Sequence, residues 1–360
     1  MNEHNSKEIQ LPATSVHVVR AQLERVPEVL KLLQEAAQWM EDNGIRQWSP
    51  GQFNEADITA YFSDRQVYLA LDHGQAVGMF TLQFSDPLYW GEKNDEAYAY
   101  LHRLAVTGTH RGKGLGKAML LYAAQLALEL GCKGLRFDTV AHNLKLNRYY
   151  QSLGFYYMGT NDMGGGRLVN LYQQFTDRND PDAILLRYFS ESDFAYIKSW
   201  SHSPEFLKQW AGPSLTYPLT DEQLTAYLTD SNHPVNSDKL LFTAVHAASR
   251  QIIGHISIAR IDRENGSARL ARVVVEPGQQ GKGLGKRMVH EALRIGFDGL
   301  GLHRISLGVF DFNTAALKAY EACGFIREGA MREAALFDGT YVDCIEFSML
   351  DREWRALRPS

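Results

Sequence analysis

Leu104–Met119 reads LAVTGTHRGKGLGKAM, and Val273–Met288 reads VVVEPGQQGKGLGKRM. Gly112–Lys117 and Gly281–Lys286 are identical. About thirty residues after each comes a second shared pattern, NLKLNRYYQSLGF from Asn143 and NTAALKAYEACGF from Asn313. In both, a tyrosine lies seven residues after the asparagine, and Gly-Phe closes the segment. Two motifs recurring in one order, at offsets of 169 and 170 residues, make the chain a diverged tandem duplication. The polar, proline-broken stretch TDRNDPDA (Thr176–Ala183) reads as the linker, placing one domain at 1–177 and the other at 183–360.

Composition agrees with two cores: 360 residues, 45 % hydrophobic and 11 % aromatic, are enough for two buried interiors. A formal charge of −5 from 37 basic and 42 acidic residues is small and mixed, so nucleic acid is not the expected partner. Cys132, Cys323 and Cys344 are far apart and show no metal-ligand spacing; they read as reduced thiols, and no metal is expected. The N-terminus, MNEHNSKEIQLPATS, has neither the basic nor the apolar segment of a signal peptide, and no run of about 18 apolar residues occurs. The expectation is a cytoplasmic protein with no membrane partner.

Periodicity gives each half alternating strands and helices. In the first, 26–39 reads as a helix, 66–71 and 76–84 as a hairpin around Asp72-His73-Gly74-Gln75, 98–106 as a strand, 116–130 as a helix, 134–140 as a strand and 144–153 as a helix. In the second, 240–246, 252–261 and 268–275 read as strands, 285–295 as a helix, 304–309 as a strand and 314–322 as a helix. The class is mixed α/β with a central sheet. The glycine-rich segment sits between an apolar strand and an amphipathic helix, where free backbone N–H groups and the helix dipole favour a phosphate. Glycines let the backbone approach that anion. A Walker A loop is excluded because Arg111 and Gln280 stand at its first glycine and Ala118 and Arg287 follow the lysines. A dinucleotide fingerprint is disfavoured because its third glycine is Leu or Lys in either register.

What does fit is Arg/Gln-x-x-Gly-x-Gly, as Arg111-Gly-Lys-Gly114-Leu-Gly116 and Gln280-Gly-Lys-Gly283-Leu-Gly285. Here the sequence closely resembles the GCN5-related N-acetyltransferase (GNAT) superfamily, as does the Asn…Tyr…Gly-Phe motif. The resemblance covers about fifty residues of each half by motif. It implies two tandem GNAT-like domains, each a mixed, largely antiparallel sheet with flanking helices and a splayed strand pair for the arm of acetyl-CoA. Carried over by position, Leu104, Ala105 and Val106, and Val273, Val274 and Val275, would hydrogen-bond the pantetheine through their main chain. Arg111, Gly112, Lys113, Gly114, Leu115, Gly116 and Lys117, with Gln280, Gly281, Lys282, Gly283, Leu284, Gly285 and Lys286, would hold the pyrophosphate. Asn143 and Asn313 are candidates for the pantetheine. Tyr150 and Tyr320 match the general acid that protonates the departing thiolate.

The reaction implied is direct attack of a primary amine on the thioester. For the base that deprotonates the amine, the first half offers Glu92, Asp95, Glu96 and His102 on or before the pantetheine strand, with Glu96 carried as the candidate. The matching stretch NGSARLARVVV of the second half has Arg269 and Arg272 and no carboxylate, leaving Asp262, Glu264 or Asp311 at a distance. Aromatic residues with interleaved acids in the first half would suit a cationic amine. The second half resembles the branch that includes ribosomal-protein N-terminal, antibiotic and polyamine acetyltransferases. The expected acceptor is therefore a small-molecule amine such as an amino acid, polyamine or antibiotic. Alternatives are protein N-termini or lysines, or one catalytic domain beside a structural or regulatory acyl-CoA-binding one. By the same resemblance the chain would be a monomer with paired domains or a homodimer.

Overall fold

A computed structural model describes residues 7–10, 15–45, 47–174, 182–233 and 235–357. Most of the polar N-terminal stretch, and residues 175–181 with most of the linker, lie outside the described residues. The first half runs β1 (Lys7–Gln10), β2 (Ser15–Arg20), α1 (Val26–Asp42), α2 (Glu55–Asp64), β3 (Gln66–Asp72), β4 (Gln75–Gln83), α3 (Pro87–Trp90), β5 (Ala99–Val106), α4 (Leu115–Glu129), β6 (Leu135–Val140), α5 (Leu144–Ser152), β7 (Phe155–Asp162) and β8 (Leu168–Gln174). The second runs β9 (Ile184–Tyr188), α6 (Phe194–Trp200), α7 (Pro204–Ala211), α8 (Asp221–Leu228), β10 (Leu240–His246), β11 (Ile252–Asp262), β12 (Ser267–Val275), α9 (Leu284–Arg294), β13 (Arg304–Phe310), α10 (Thr314–Ala322), β14 (Ile326–Phe337), β15 (Thr340–Leu350) and α11 (Asp351–Ala356).

The sheets have the strand orders β1-β2-β3-β4-β5-β6-β8-β7 and β14-β15-β13-β12-β11-β10-β9. Apart from the extra β1, the second order is the first read in reverse, so the duplication is one of topology as well as sequence. Contacts divide the chain into two compact units, 1–140 with 171–176 and 141–170 with 177–360. Residues 141–170 thus group differently from the sequence boundary. Within the second unit the Tyr188 amide donates to Gln151 Oε1 (2.9 Å), Arg250 Nη2 to the Leu153 carbonyl (3.0 Å) and Arg294 Nη1 to the Tyr157 carbonyl (3.1 Å).

Local sequence accounts for the elements that shape the site. Val26, Val29, Leu33, Ala36 and Ala37 bury one face of α1 over β3–β5, with Pro27 in the first turn where its missing N–H costs nothing. His73 and Gly74 both have positive φ (46° and 80°), as a two-residue hairpin turn between right-twisted strands requires. Helices α2, α7 and α8, absent from the periodicity reading, are short and start on Asn54, Ser203 and Thr220, each accepting a first-turn amide. In the second unit α6–α8 form the matching core, with Ile197, Leu207, Leu224 and Val274 buried together.

The central feature recurs in both units. β5 pairs in parallel with β6 only through Ala99–Leu101, and β12 with β13 only through Ser267–Arg269. Beyond those residues each strand continues without its parallel neighbour. On its other edge each carries a bulge, between Met79 and Thr81 of β4 and between His255 and Ser257 of β11. The extra length is taken up by Arg103 (φ 55°) and Arg272 (φ 50°), which adopt a left-handed conformation uncommon outside glycine. Hydroxyls of the facing strands donate to the bulge carbonyls: Thr81 Oγ1 to His102 (3.3 Å) and Ser257 Oγ to Ala271 (2.9 Å).

Ser257 is fully buried, so Ser257→Ala strands a carbonyl and is expected to destabilise the second unit by about 1–3 kcal/mol. A drop in its melting temperature of several degrees checks this; an unchanged transition would mean that the bulge does not depend on the hydroxyl.

Candidate functional site

Each glycine-rich loop ends a strand and starts a helix. Gly114 and Gly283 are the N-caps of α4 and α9, left-handed (φ 89° and 78°) and without side-chain caps, so first-turn amides keep no partner inside the helix. Gly112 and Gly281 are also left-handed, each at φ 77°. A Cβ at any of these four positions would meet nothing within 4 Å, so their backbone faces open space. Leu115 and Leu284, between the glycines, are buried and fix the helix start to the core. A Cβ at Gly116 would lie 3.7 Å from Val106 Cγ2, and one at Gly285 3.4 Å from Val275 Cγ2, which is how closely each helix approaches its strand.

Arg111 and Gln280 bond back to the strands that precede them. Arg111 Nη2 donates to the Val106 carbonyl (3.1 Å) and its guanidinium lies 3.7 Å from the Trp39 ring centroid. Gln280 Nε2 likewise donates to the Val275 carbonyl (3.3 Å). These side chains close the strand-to-loop corner. Lys113, Lys117, Lys282 and Lys286 are exposed around it. Uncapped N–H donors, open glycine backbone and surrounding lysines fit a diphosphate. On the strands, Ala105 and Val274 point into the α1–α2 and α6–α8 cores, so Leu104, Val106, Val273 and Val275 take the opposite face by alternation.

Asn143 and Asn313 are the N-caps of α5 and α10: their Oδ1 atoms accept from the Leu146 (3.1 Å) and Ala316 (3.2 Å) amides. That use occupies the side-chain oxygen and leaves the amide NH2 for other partners. Tyr320 lies on α10, and burial pushes its phenol well above the usual range, with Cys323 adding to the shift, so it stays protonated. Tyr150 lies on α5, in the stretch that packs with the second unit, 5.7 Å ring to ring from Tyr149.

In the second unit a cleft of about 840 Å³ contains much of the predicted set: Val273–Val275, Gln280, Gly281, Gly283–Lys286, Asn313 and Tyr320. Its remaining wall comes from α7 and its flanks, including His202, Lys208 and Trp210, and from Arg272. None of Asp262, Glu264 and Asp311 lines it; Asp262 and Glu264 sit at the β11–β12 turn.

In the first unit a cavity of about 770 Å³ is lined by Asp64, Arg65, Asp86, Tyr89, Glu96, His102 and Arg103. Glu96 is exposed in the turn before β5. Arg65 is taken up by Asp64 in a bidentate pair (2.7 and 2.8 Å). Arg103 donates to Tyr61 Oη (3.0 Å) and lies 5.3 Å from the Phe53 ring centroid. Among the described residues, Asp86 and Glu96 form no ion pair with a lysine or arginine, and Asp86 lies near enough to Arg65 to favour its charge. His102 places Nε2 3.1 Å from Asp86 Oδ2 and Nδ1 3.6 Å from Asp138 Oδ1. This trio also has donor atoms close enough to share a metal ion, a grouping that sequence spacing hides because the residues come from three elements. His102 thus lies between two carboxylates, with Nε2 and Asp86 Oδ2 both buried and outside hydrogen-bond geometry despite their close approach.

Two features escaped the sequence reading. One is the pair of left-handed arginines, whose signal was available: Arg103 and Arg272 keep the 169-residue offset. The other is a buried cluster in the second unit, where Tyr227 Oη lies 3.0 Å from His255 Nε2, with the His255 ring 4.8 Å from Phe189 and 5.8 Å from Trp210. Burial holds His255 neutral, its pKa pushed down to about 3.

The sequence pattern of the acetyltransferase (GNAT) family matches residues 33–155 and 192–325. The chain belongs to this family. It is an N-acetyltransferase by that membership, and the family uses acetyl-CoA, in keeping with the two loops. Spermidine N(1)-acetyltransferase of Vibrio cholerae serotype O1 is 26 % identical over 172 residues, 48 % of this chain and 95 % of that protein. An uncharacterized prophage-derived N-acetyltransferase, YokL, of Bacillus subtilis is 30 % identical over 141 residues, 39 % and 77 % of the two chains. The crystal structure of the Vibrio cholerae spermidine N-acetyltransferase with CoA and spermine is similar at 24 % identity and a TM-score of 0.42, over 48 % of this chain and 98 % of that one. The polyamine branch expected from the second half is thus represented among the relatives. No helix among the described residues is long and apolar enough to cross a membrane.

The folded pKa of His255 lies below the ordinary 6.5, so protons favour the unfolded second unit. Its contribution is complete above about pH 6.5 and is lost as pH falls toward 3, by up to ~1.4 kcal/mol per pH unit. Denaturant titrations across that range should show stability falling with pH, with a shallower slope in His255→Gln. Equal slopes would mean that His255 is already protonated in the fold.

Proposed function

We propose that each half transfers the acetyl group of acetyl-CoA to a primary amine of a small molecule, and that the acceptor of the first half is cationic. The observation carrying the second clause is the cavity beside β5, where Asp86 and Glu96 supply carboxylates that form no lysine or arginine ion pair among the described residues and Tyr89 supplies an aromatic wall. An ammonium group is attracted by both acids and ring. The spermidine acetyltransferase relative makes a polyamine the first acceptor to try.

The loop amides around Gly112–Gly116 and Gly281–Gly285 would hold the pyrophosphate, and the free edges of β5 and β12 would receive the pantetheine. Attack of the neutral amine on the carbonyl carbon forms the C–N bond and breaks the C–S bond. A strand amide beside the bulge would stabilise the oxyanion. In the first half His102, between two carboxylates, or Glu96 would take the ammonium proton; Tyr150 and Tyr320 would return one to the thiolate. A second reading gives one half acyl-CoA binding without turnover, and what favours it is Ala271 standing at the position that His102 holds in the repeat.

The test is thiol release with spermidine as acceptor, in the wild type and in His102→Gln, Tyr150→Phe and Tyr320→Phe. Losses of about 10²-fold in kcat for His102→Gln are expected, with acetyl-CoA binding retained. Unaltered turnover in Tyr150→Phe would remove that phenol from the mechanism of the first half. A spermidine rate no higher than that of an uncharged amine would contradict the cationic acceptor.

A further inference from the structure

The two acceptor regions differ in charge. Arg269 of β12 is neutralised by a bidentate pair with Glu346 (2.7 and 3.0 Å). Arg272, three residues on, is not. Its guanidinium lies 4.2 Å from the Tyr227 ring centroid, Nη2 donates to Ser214 Oγ (2.6 Å), and the buried Nε has no hydrogen-bond partner. Among the described residues no carboxylate pairs with it. Trp210 Nε1, on the same cleft, is a second buried donor without a partner. Lys208 and His202 line that wall, and no aspartate or glutamate lines the cleft anywhere.

This positive charge stands at the reacting end of the cleft. Arg272 is at the bulge, where β12 has just left β13, and three residue steps along the strand, about 10 Å, take it to Val275, with the diphosphate loop further on. The loop has lysines of its own. Arg272, Lys208 and Trp210 belong instead to the wall built from α7 and the bulge, opposite in sign to the Asp86–Glu96 cavity of the first unit.

We propose that the second cleft takes an amine that also bears an oxyanion, a carboxylate or a phosphate, which the Arg272 guanidinium holds while the amine faces the thioester. The inference rests on the acetyl-transfer reading and narrows its substrate class. Phe206 and Trp210 make an aromatic amino acid the natural carboxylate probe.

The experiment uses the full chain carrying Gly114→Glu, which places a carboxylate at the first loop so that turnover reports the second. Thiol release is measured with L-phenylalanine against L-phenylalaninamide and with phosphoethanolamine against ethanolamine, the two pairs separating carboxylate from phosphate. At least one anionic member should exceed its neutral partner tenfold or more in kcat/KM. Arg272→Met should abolish that preference by raising KM for the anionic member about tenfold, with acetyl-CoA affinity by calorimetry unchanged and Arg272→Lys restoring part of it. Neutral members or spermidine used as well as the anionic ones would overturn the proposal, as would Arg272→Met weakening acetyl-CoA binding instead. Acetyl-CoA binding without transfer to any of these amines would sink the reading of the second half as an enzyme, and the proposal with it.

Discussion

The site in each unit depends on two parallel strands that stop pairing. A sheet interior normally satisfies every backbone group on both edges of a strand, and leaving an edge bare inside a fold is costly unless something else bonds there. Here β5 and β12 each leave their parallel neighbour after three paired residues. On the other edge each strand is re-aimed by a bulge with a left-handed arginine, whose neighbouring carbonyl is bonded by Thr81 or Ser257. The uncovered edge is a ready partner for an extended chain with alternating amide groups, which the pantetheine of acetyl-CoA is. The strand then runs directly into the open glycine loop, so the bare edge and the loop amides lie in one line.

Much of this was legible in the sequence because the loop is constrained residue by residue. Gly112, Gly114, Gly281 and Gly283 are all left-handed, Leu115 and Leu284 must be buried, and Gly116 and Gly285 lie under Val106 and Val275. Such demands keep the string GKGLGK intact in both halves. The strands and helices around it were readable for the same reason, each carrying a clear apolar period. The short helices α2 and α6–α8 were not, since eight or so residues hold barely two turns of pattern, and the signal of α2, α7 and α8 lies in a single capping residue. The acceptor walls were the least legible. Asp86, His102 and Asp138 meet only through tertiary structure, and the conformation of Arg103 and Arg272 follows from strand register across the sheet rather than from their neighbours in sequence.

The halves share the glycine loop and the released strand and differ beside them. At the bulge both have arginine, but Arg103 lies among Tyr61, Trp48 and Phe53 on a cavity that Asp86 and Glu96 also line, whereas Arg272 faces a cleft without acids. His102 is matched in the repeat by Ala271, and the buried polar centre of the second unit has moved to Tyr227 and His255. Duplication followed by divergence of one wall is a route by which two specificities would arise on one donor chemistry, since function resides in the site grafted on a fold.

Calorimetric titration of acetyl-CoA into the full chain tests the central claim most directly, alongside Gly114→Glu and Gly283→Glu and the uncharged controls Gly114→Ala and Gly283→Ala, which share the backbone strain without the charge. The account predicts a stoichiometry of two in the wild type, falling to one in each glutamate variant and remaining two in the alanine controls. A wild-type stoichiometry of one, or two sites that persist in both glutamate variants, would contradict it.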